Sequence, residues 1–201
     1  MAKREDKREN IMKAAADAFT RYGYDKTTLD DIGRIVGLNK ASLYYYYKNK
    51  EDLFLAVVLE ESRRMIGHIQ ENVQSILDPE SKILTYMTER LAYYRHVLSL
   101  NSVSTESLTT LQPAFNTLYN EIEQGEIQYV AGSLAKLNLQ PGILPEQAAT
   151  LLFKTANALK HEAVLQSGRL LSAEADYSQI EADIKTITGW MLKGIQHKSE
   201  S

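Results

Sequence analysis

Residues 27–50 read TTLDDIGRIVGLNKASLYYYYKNK, and the spacing within that stretch decides the fold. Thr28 and Asp31 stand as hydroxyl and acid three residues apart, a capping box with Asp in place of the usual Glu. A short helix is expected from there to about Val36, ending at Gly37-Leu38. Asn39 is a good cap for a second short helix through Tyr46. Asn49, followed by Glu51 and Asp52, caps a third start, with acids favourably placed in its first turn. Ile32, Ile35, Leu38 and Leu43 are spaced to lock the first two helices together. Two short helices around a tight glycine turn are the grammar of a helix-turn-helix, whose second helix enters the DNA major groove.

The exposed face of that second helix offers Lys40, Ser42, Tyr44, Tyr45, Tyr46 and Lys48. Four consecutive tyrosines cannot all face one core, because successive residues turn about 100° around a helix. Leu43 and Tyr47, four apart, suit the core, and at least two other phenols are left facing solvent; Tyr44 has the option of packing partly on the first helix. Tyrosine hydroxyls bond phosphates and their rings touch thymine methyls.

Outward from this stretch the periodicity is helical throughout. Ile11, Ala14, Ala15, Ala18, Phe19 and Tyr22 form one apolar stripe that Gly23 terminates. Glu51 to about Ile76 and Glu80 to Leu100 read as long helices broken by Asp78-Pro79. Asn101 to Thr110 is Ser/Thr-rich and reads as a loop or short helix, Pro113 suits the first turn of a helix to about Leu137, and 138–145 is a connector. Glu146–Gln166 and Ser178–Gln196 close the chain. The expected fold is all-α with about nine helices: a three-helix DNA-binding domain over 1–50 and a larger helical ligand-binding and dimerisation domain over 51–201.

The 201 residues carry a net charge of −3, which as one number argues against a nucleic-acid binder. Residues 1–50, however, hold eleven Lys and Arg against seven Asp and Glu, a balance of +4, which leaves twelve against nineteen, −7, for the rest. The basic excess lies with the turn motif. The Lys3-Arg4-Lys7-Arg8 run alternates with acids and reads either as a solvated helix start or as a minor-groove arm. The absence of cysteine excludes disulfides and thiolate metal sites. The longest apolar run, Leu53–Leu59, is far short of the roughly 20 residues that span a bilayer, and no signal-peptide core precedes it. A soluble, cytoplasmic protein without membrane association is expected. The histidines have no metal-ligand spacing, and neither a nucleophile elbow nor a glycine-rich phosphate loop is present, so no enzyme activity, metal or cofactor is expected.

The pattern Ile11…Ala14-Ala15…Phe19…Tyr22-Gly23-Tyr24…Thr27-Thr28…Asp31-Ile32…Gly37…Ser42 through Leu53 resembles the amino-terminal DNA-binding domain of TetR-family (tetracycline-repressor-like) transcriptional regulators. The resemblance covers about a quarter of the chain. It implies phosphate contacts at Thr27 and Thr28, base reading by Lys40, Ala41 and Ser42 at the start of the recognition helix, and aromatic contacts from Tyr44, Tyr45 and Tyr46. Lys48 and Lys50 complete the implied DNA contacts at the entry to the next helix, whose amino terminus is itself an anion site. The chain departs from the family's usual residues with Gly33 for Ala, Val36 for a small residue, Ala41 for Gly and Tyr47 for Phe. These readings point to a ligand-responsive regulator, a repressor released from a near-palindromic double-stranded operator by a small-molecule effector. The competing readings are a helical protein-interaction module and a small helical enzyme.

Two further clusters remain. Tyr86, Met87, Arg90, Tyr94, Phe115, Tyr119 and Phe153 fall at helical spacing and serve either as core or as the wall of an effector pocket, with Arg90, Asn157 and His161 as polar anchors. Arg90 suits an anionic ligand, or pairs on the surface with Glu89 or Glu106. On the last two helices, Ala148, Leu152, Ala156, Leu159 and Ala163 make a small-residue stripe, and Ile180, Ile184, Ile187 and Met191 a second. A homodimer interface is expected there, with intrachain packing as the plainer alternative.

Overall fold

The computed structural model describes residues 2–100, 105–166 and 178–197. Within them lie eight helices, against the nine or so expected: α1 Ala2–Tyr22, α2 Leu29–Ile35, α3 Lys40–Tyr46, α4 Lys50–Gln74, α5 Pro79–Leu100, α6 Thr105–Leu134, α7 Pro145–Gln166 and α8 Ser178–Ile195. No strand occurs among the described residues. No helix among them is long and apolar enough to cross a membrane.

Local chemistry sets most of the boundaries. The Thr28 hydroxyl accepts from the Asp31 N–H at 3.2 Å while the Thr28 N–H donates to Asp31 Oδ2 at 3.1 Å. Asn39 and Asn49 cap α3 and α4 by accepting from the N–H groups of Ser42 (2.8 Å) and Asp52 (2.7 Å). Asp78 does the same for α5 through Ser81, with Pro79 in the first turn.

Pro113 corrects one expectation. It lies inside α6 instead of opening a helix, and the stretch from Thr105 is already helical. Proline removes one backbone donor there. The turn is retained because Leu111 is fully buried, with Phe115 and Leu118 packed on the same cluster.

The chain divides into two compact units: Met1–Arg63 with Val97–Tyr119, and Arg64–His96 with Asn120–Ser201. The division therefore differs from a single boundary at residue 50. It falls within α4, near the end of α5 and within α6, and the first half of α6 belongs with the amino-terminal helices.

In the first unit Ile11, Ala15, Phe19, Ile32, Leu43 and Leu53 have no exposed surface. Phe54 is the aromatic centre, with ring centroids 5.1 Å from Phe19, 4.6 Å from Tyr24 and 6.0 Å from Phe115. Ile35, expected to lock α2 to α3, is instead 60% exposed. Leu29, Ile32, Gly33 and Val36 form the inward stripe, and Ile35 points about 100° away from its middle.

The second unit packs Ile69, Val73, Ile83, Met87, Ile127, Leu134, Leu152, Phe153 and Ile184 into one cluster. Beside it lies a closed polar network on α5, α6 and α7. Arg90 donates through Nε to both Glu126 oxygens at 3.0 Å, through Nη2 to Glu123 at 3.3 Å and through Nη1 to Asn157 at 3.1 Å. Tyr86 donates its hydroxyl to Glu126 at 2.9 Å, Asn157 donates to Glu123, and the guanidinium sits 4.7 Å from the Phe153 ring centroid. Burial, aided by the Glu126 carboxylate, raises the Tyr86 phenol far above its ordinary range, so it remains a donor. The connector after α6 is tied to the end of α8: Gln140 N–H donates to Ile195 O (2.9 Å) and His197 N–H to Asn138 O (2.8 Å).

Arg90→Ala leaves the 3%-exposed Glu126 without its cation, and about 3–5 kcal/mol of unfolding free energy is expected to be lost in urea titration. Thr28→Ala and Gly37→Ala each cost about 1 kcal/mol, the first by removing a cap, the second because Gly37 has φ +68°. The Thr28 hydroxyl also donates to Asp31 Oδ2, and this bond together with that of the Thr28 N–H holds the Asp31 carboxyl below its ordinary range. Its contribution is therefore present above about pH 4 and fades as pH falls further. Thr28→Ala should reduce the loss of stability across that acid limb.

Candidate nucleic-acid interface

The turn between α2 and α3 is built by a close backbone approach. Leu38 N–H donates to Gly33 O at 2.8 Å, Gly37 N–H donates to Arg34 O at 3.3 Å, and Gly37 takes the left-handed conformation that closes the turn. A Cβ on Gly33 would lie 3.1 Å from Leu38 O and 3.6 Å from a Leu43 methyl, so glycine here permits the tight crossing. Leu43, with no exposed surface, then anchors α3 from beneath.

That anchoring turns the opposite face outward. Tyr44 is 42% and Tyr45 65% exposed, while Tyr46 is half-buried and meets the Tyr45 ring edge-on at 5.3 Å. Lys40 and Ala41 are exposed and Ser42 half-buried in the first turn of α3; Lys48 is exposed just beyond its end. The Lys40 ammonium lies 3.5 Å from the Asp30 carboxylate and 5.7 Å from the Tyr44 ring centroid. Arg34, 81% exposed, lies 3.6 Å from Asp31. Tyr47 is buried, and its hydroxyl accepts from Arg8 Nε at 3.3 Å, which ties α1 to the end of α3; burial raises the Tyr47 phenol.

Thr28 is on the exposed side; Thr27 is not. Thr27 is 2% exposed, and its hydroxyl donates to Gly23 O at 2.8 Å, which holds the turn after α1. Lys50 is half-buried, donates to Tyr24 O at 3.0 Å and sits 4.1 Å over the Tyr24 ring. Both residues brace the interface from behind. Arg8 likewise braces Tyr47, while the side chains of Lys3 and Arg4 lie outside the described residues. The Asp30–Lys40 contact escapes sequence reading because the partners are ten positions apart across a turn, which no helical spacing rule connects.

The expected pocket residues divide. Tyr86, Met87 and Phe153 are fully buried in the second unit's core, and Arg90 and Asn157 belong to the closed network, so Arg90 pairs with Glu123 and Glu126 and not with Glu89 or Glu106. Phe115 and Tyr119 belong to the first unit, with ring centroids 5.9 Å apart. The side chains of Tyr94, His161 and Ala163 lie outside the described residues. The interface stripes are corrected in part. Ala148, Leu152, Ala156, Ile180 and Ile184 are all under a tenth exposed within one chain, Leu159 and Met191 are half-buried against the same cluster, and Ile187 is half-buried. Surface already removed from water cannot drive a second association. Among the described large apolar side chains of α7, α8 and the loop before α7, Leu144, Leu151 and Trp190 are each more than half exposed.

Known proteins converge on the same reading. Residues 11–57 match the sequence pattern of bacterial regulatory proteins of the tetR family. Over 47 residues the chain is 49% identical to the biofilm operon icaADBC HTH-type negative transcriptional regulator IcaR of Staphylococcus epidermidis, 23% of this chain and 25% of that one, so the match spans about a quarter of that relative's length. The fatty acid metabolism regulator protein of Bacillus subtilis is 22% identical over 73% of this chain and 75% of its own. Among solved structures, a transcriptional regulator from Cytophaga hutchinsonii superposes with a TM-score of 0.76 at 28% identity, covering 94% of this chain and 98% of that one. Residues 11–57 thus carry the helix-turn-helix pattern of tetR-family bacterial regulatory proteins, and the chain shares its helical fold almost end to end with a solved transcriptional regulator.

Proposed function

We propose that this chain is a ligand-responsive, DNA-binding transcriptional regulator of the cytoplasm, acting as a repressor. The observation that carries this reading is the outward face of α3. Two phenols and the cations Lys40 and Lys48 face solvent on a helix whose angle is fixed by a close-packed turn and a buried leucine. An exposed aromatic surface of this kind is unfavourable in water unless a partner covers it, and phosphates and thymine methyls supply one. Reading by a single short helix is weak, so two copies of the chain act together on a near-palindromic operator, with recognition helices roughly 34–36 Å apart. The exposed Leu144, Leu151 and Trp190 supply apolar surface for that pairing. A small-molecule effector taken up by the second unit favours a state with a different helix separation and releases the DNA. Helix α4, which spans both units, is the natural lever.

The experiment is equilibrium binding of the full chain to the DNA upstream of its own gene across a salt series. Affinity is expected to fall steeply with log salt, with a slope of several phosphate equivalents. Lys48→Ala should weaken binding to all duplexes alike and reduce the slope by about one, while Lys40 and Ser42 substitutions alter base preference. Absent or salt-insensitive binding contradicts the reading and returns the exposed tyrosines to a protein-interaction surface.

A further inference from the structure

Lys40 is the first residue of α3, whose first turn contains no acid. A cation there meets the positive end of the helix and is disfavoured. The compensating charge comes from α2. The Asp30 carboxylate lies 3.5 Å from the Lys40 ammonium, and the Tyr44 ring, one turn along α3, lies 5.7 Å from the same ammonium. The neighbouring acid is engaged elsewhere, since the Asp31 carboxylate accepts from the Thr28 N–H and hydroxyl in the capping box and pairs with Arg34. Asp30 makes no such capping bond; what the structure gives its carboxylate is Lys40. Asp30 and Lys40 keep 47% and 67% of their side-chain surface exposed, so the pair adds little to stability. Its effect is on where the ammonium is held.

We propose that Asp30 is a specificity-determining positioning residue: it holds the Lys40 ammonium against the Tyr44 ring so that Lys40 addresses a base edge and not the nearest phosphate. The assignment rests on the reading of α3 as the DNA-recognition helix. An unrestrained lysine is a flexible point charge that reaches several phosphates equally well. Held between a carboxylate and a ring, it has fewer positions and discriminates between base pairs. The carboxylate also repels DNA that does not attract Lys40 away from it. Weak binding to unrelated sequence and sharp preference at one base pair thus have the same cause.

The test uses the full-length chain and the variants Asp30→Asn, Asp30→Glu, Lys40→Ala and the Asp30→Asn/Lys40→Ala double variant. Asp17→Asn, on α1, controls for removing one negative charge. Each is used to select bound duplexes from a random-sequence pool, and its affinity for the selected operator and for a scrambled duplex is then measured. Asp30→Asn is expected to bind the scrambled duplex about two- to fivefold more tightly, and to lose about fivefold discrimination at the base pair whose preference Lys40→Ala also abolishes. Asp30→Glu retains the discrimination, Asp17→Asn leaves it untouched, and the double variant selects as Lys40→Ala does. A merely structural role would shift melting temperature and leave the selected sequence unchanged. Identical selection by Asp30→Asn and the unaltered chain, with DNA still bound, overturns the Asp30 assignment alone. Failure of the unaltered chain to bind any duplex overturns the α3 reading and Asp30 with it.

Discussion

Everything the first unit presents to the outside depends on how closely α3 crosses α2. The distance is set by Gly33, where a side-chain carbon would press on the Leu38 carbonyl at 3.1 Å and contact Leu43 at 3.6 Å. Because nothing occupies that space, Leu38 returns its N–H to Gly33, Leu43 drops fully into the core, and α3 is held at one angle. The usual drawback of glycine in a helix, about 1 kcal/mol, is offset by the capping box on one side and the Asn39 cap on the other. Tyr44 and Tyr45 face outward as a consequence of Leu43 facing inward. Thr27, Lys50 and Arg8 hold the supporting loops with bonds to Gly23, Tyr24 and Tyr47. The outward face of α3 is thus a surface of few residues on a larger support.

The second unit shows the opposite design. Its centre combines a large apolar cluster with two carboxylates, one guanidinium, an amide and a phenol, every one of them hydrogen-bonded to another. One cation facing two carboxylates leaves the cluster formally negative. Such a group is tolerated in a low-dielectric interior only while the hydrogen-bond circuit stays closed. It fixes α5, α6 and α7 at one level far more specifically than apolar packing does, and any ligand that enters this unit must either leave the circuit intact or replace one of its members.

How much of this was legible depends on the range of the interaction. Caps at Thr28, Asn39 and Asn49 act within three residues, and the sequence states them outright; the burial of Leu43 and Tyr47 and the exposure of Tyr44 and Tyr45 follow from four-residue spacing. Ile35 misled because it resembles its apolar neighbours while lying off their stripe. Pro113 misled because contacts of Leu111 and Phe115 outweigh one missing donor. The alanine and isoleucine stripes on α7 and α8 are real, but they face their own chain, and periodicity does not distinguish a partner helix from the same chain from one in a second copy. The Arg90 network and the Asp30–Lys40 pair join residues from different helices, and no local pattern announces either.

The central claim is that the outward face of α3 is the surface DNA covers. Hydroxyl-radical footprinting of the full chain, read residue by residue with and without duplex DNA, measures it directly. Tyr44 and Tyr45 should lose most of their reactivity on binding, while Trp190, two-thirds exposed on α8, retains the reactivity it has in the DNA-free chain. Protection of Trp190 or of the α1 surface with Tyr44 and Tyr45 unchanged would contradict the account.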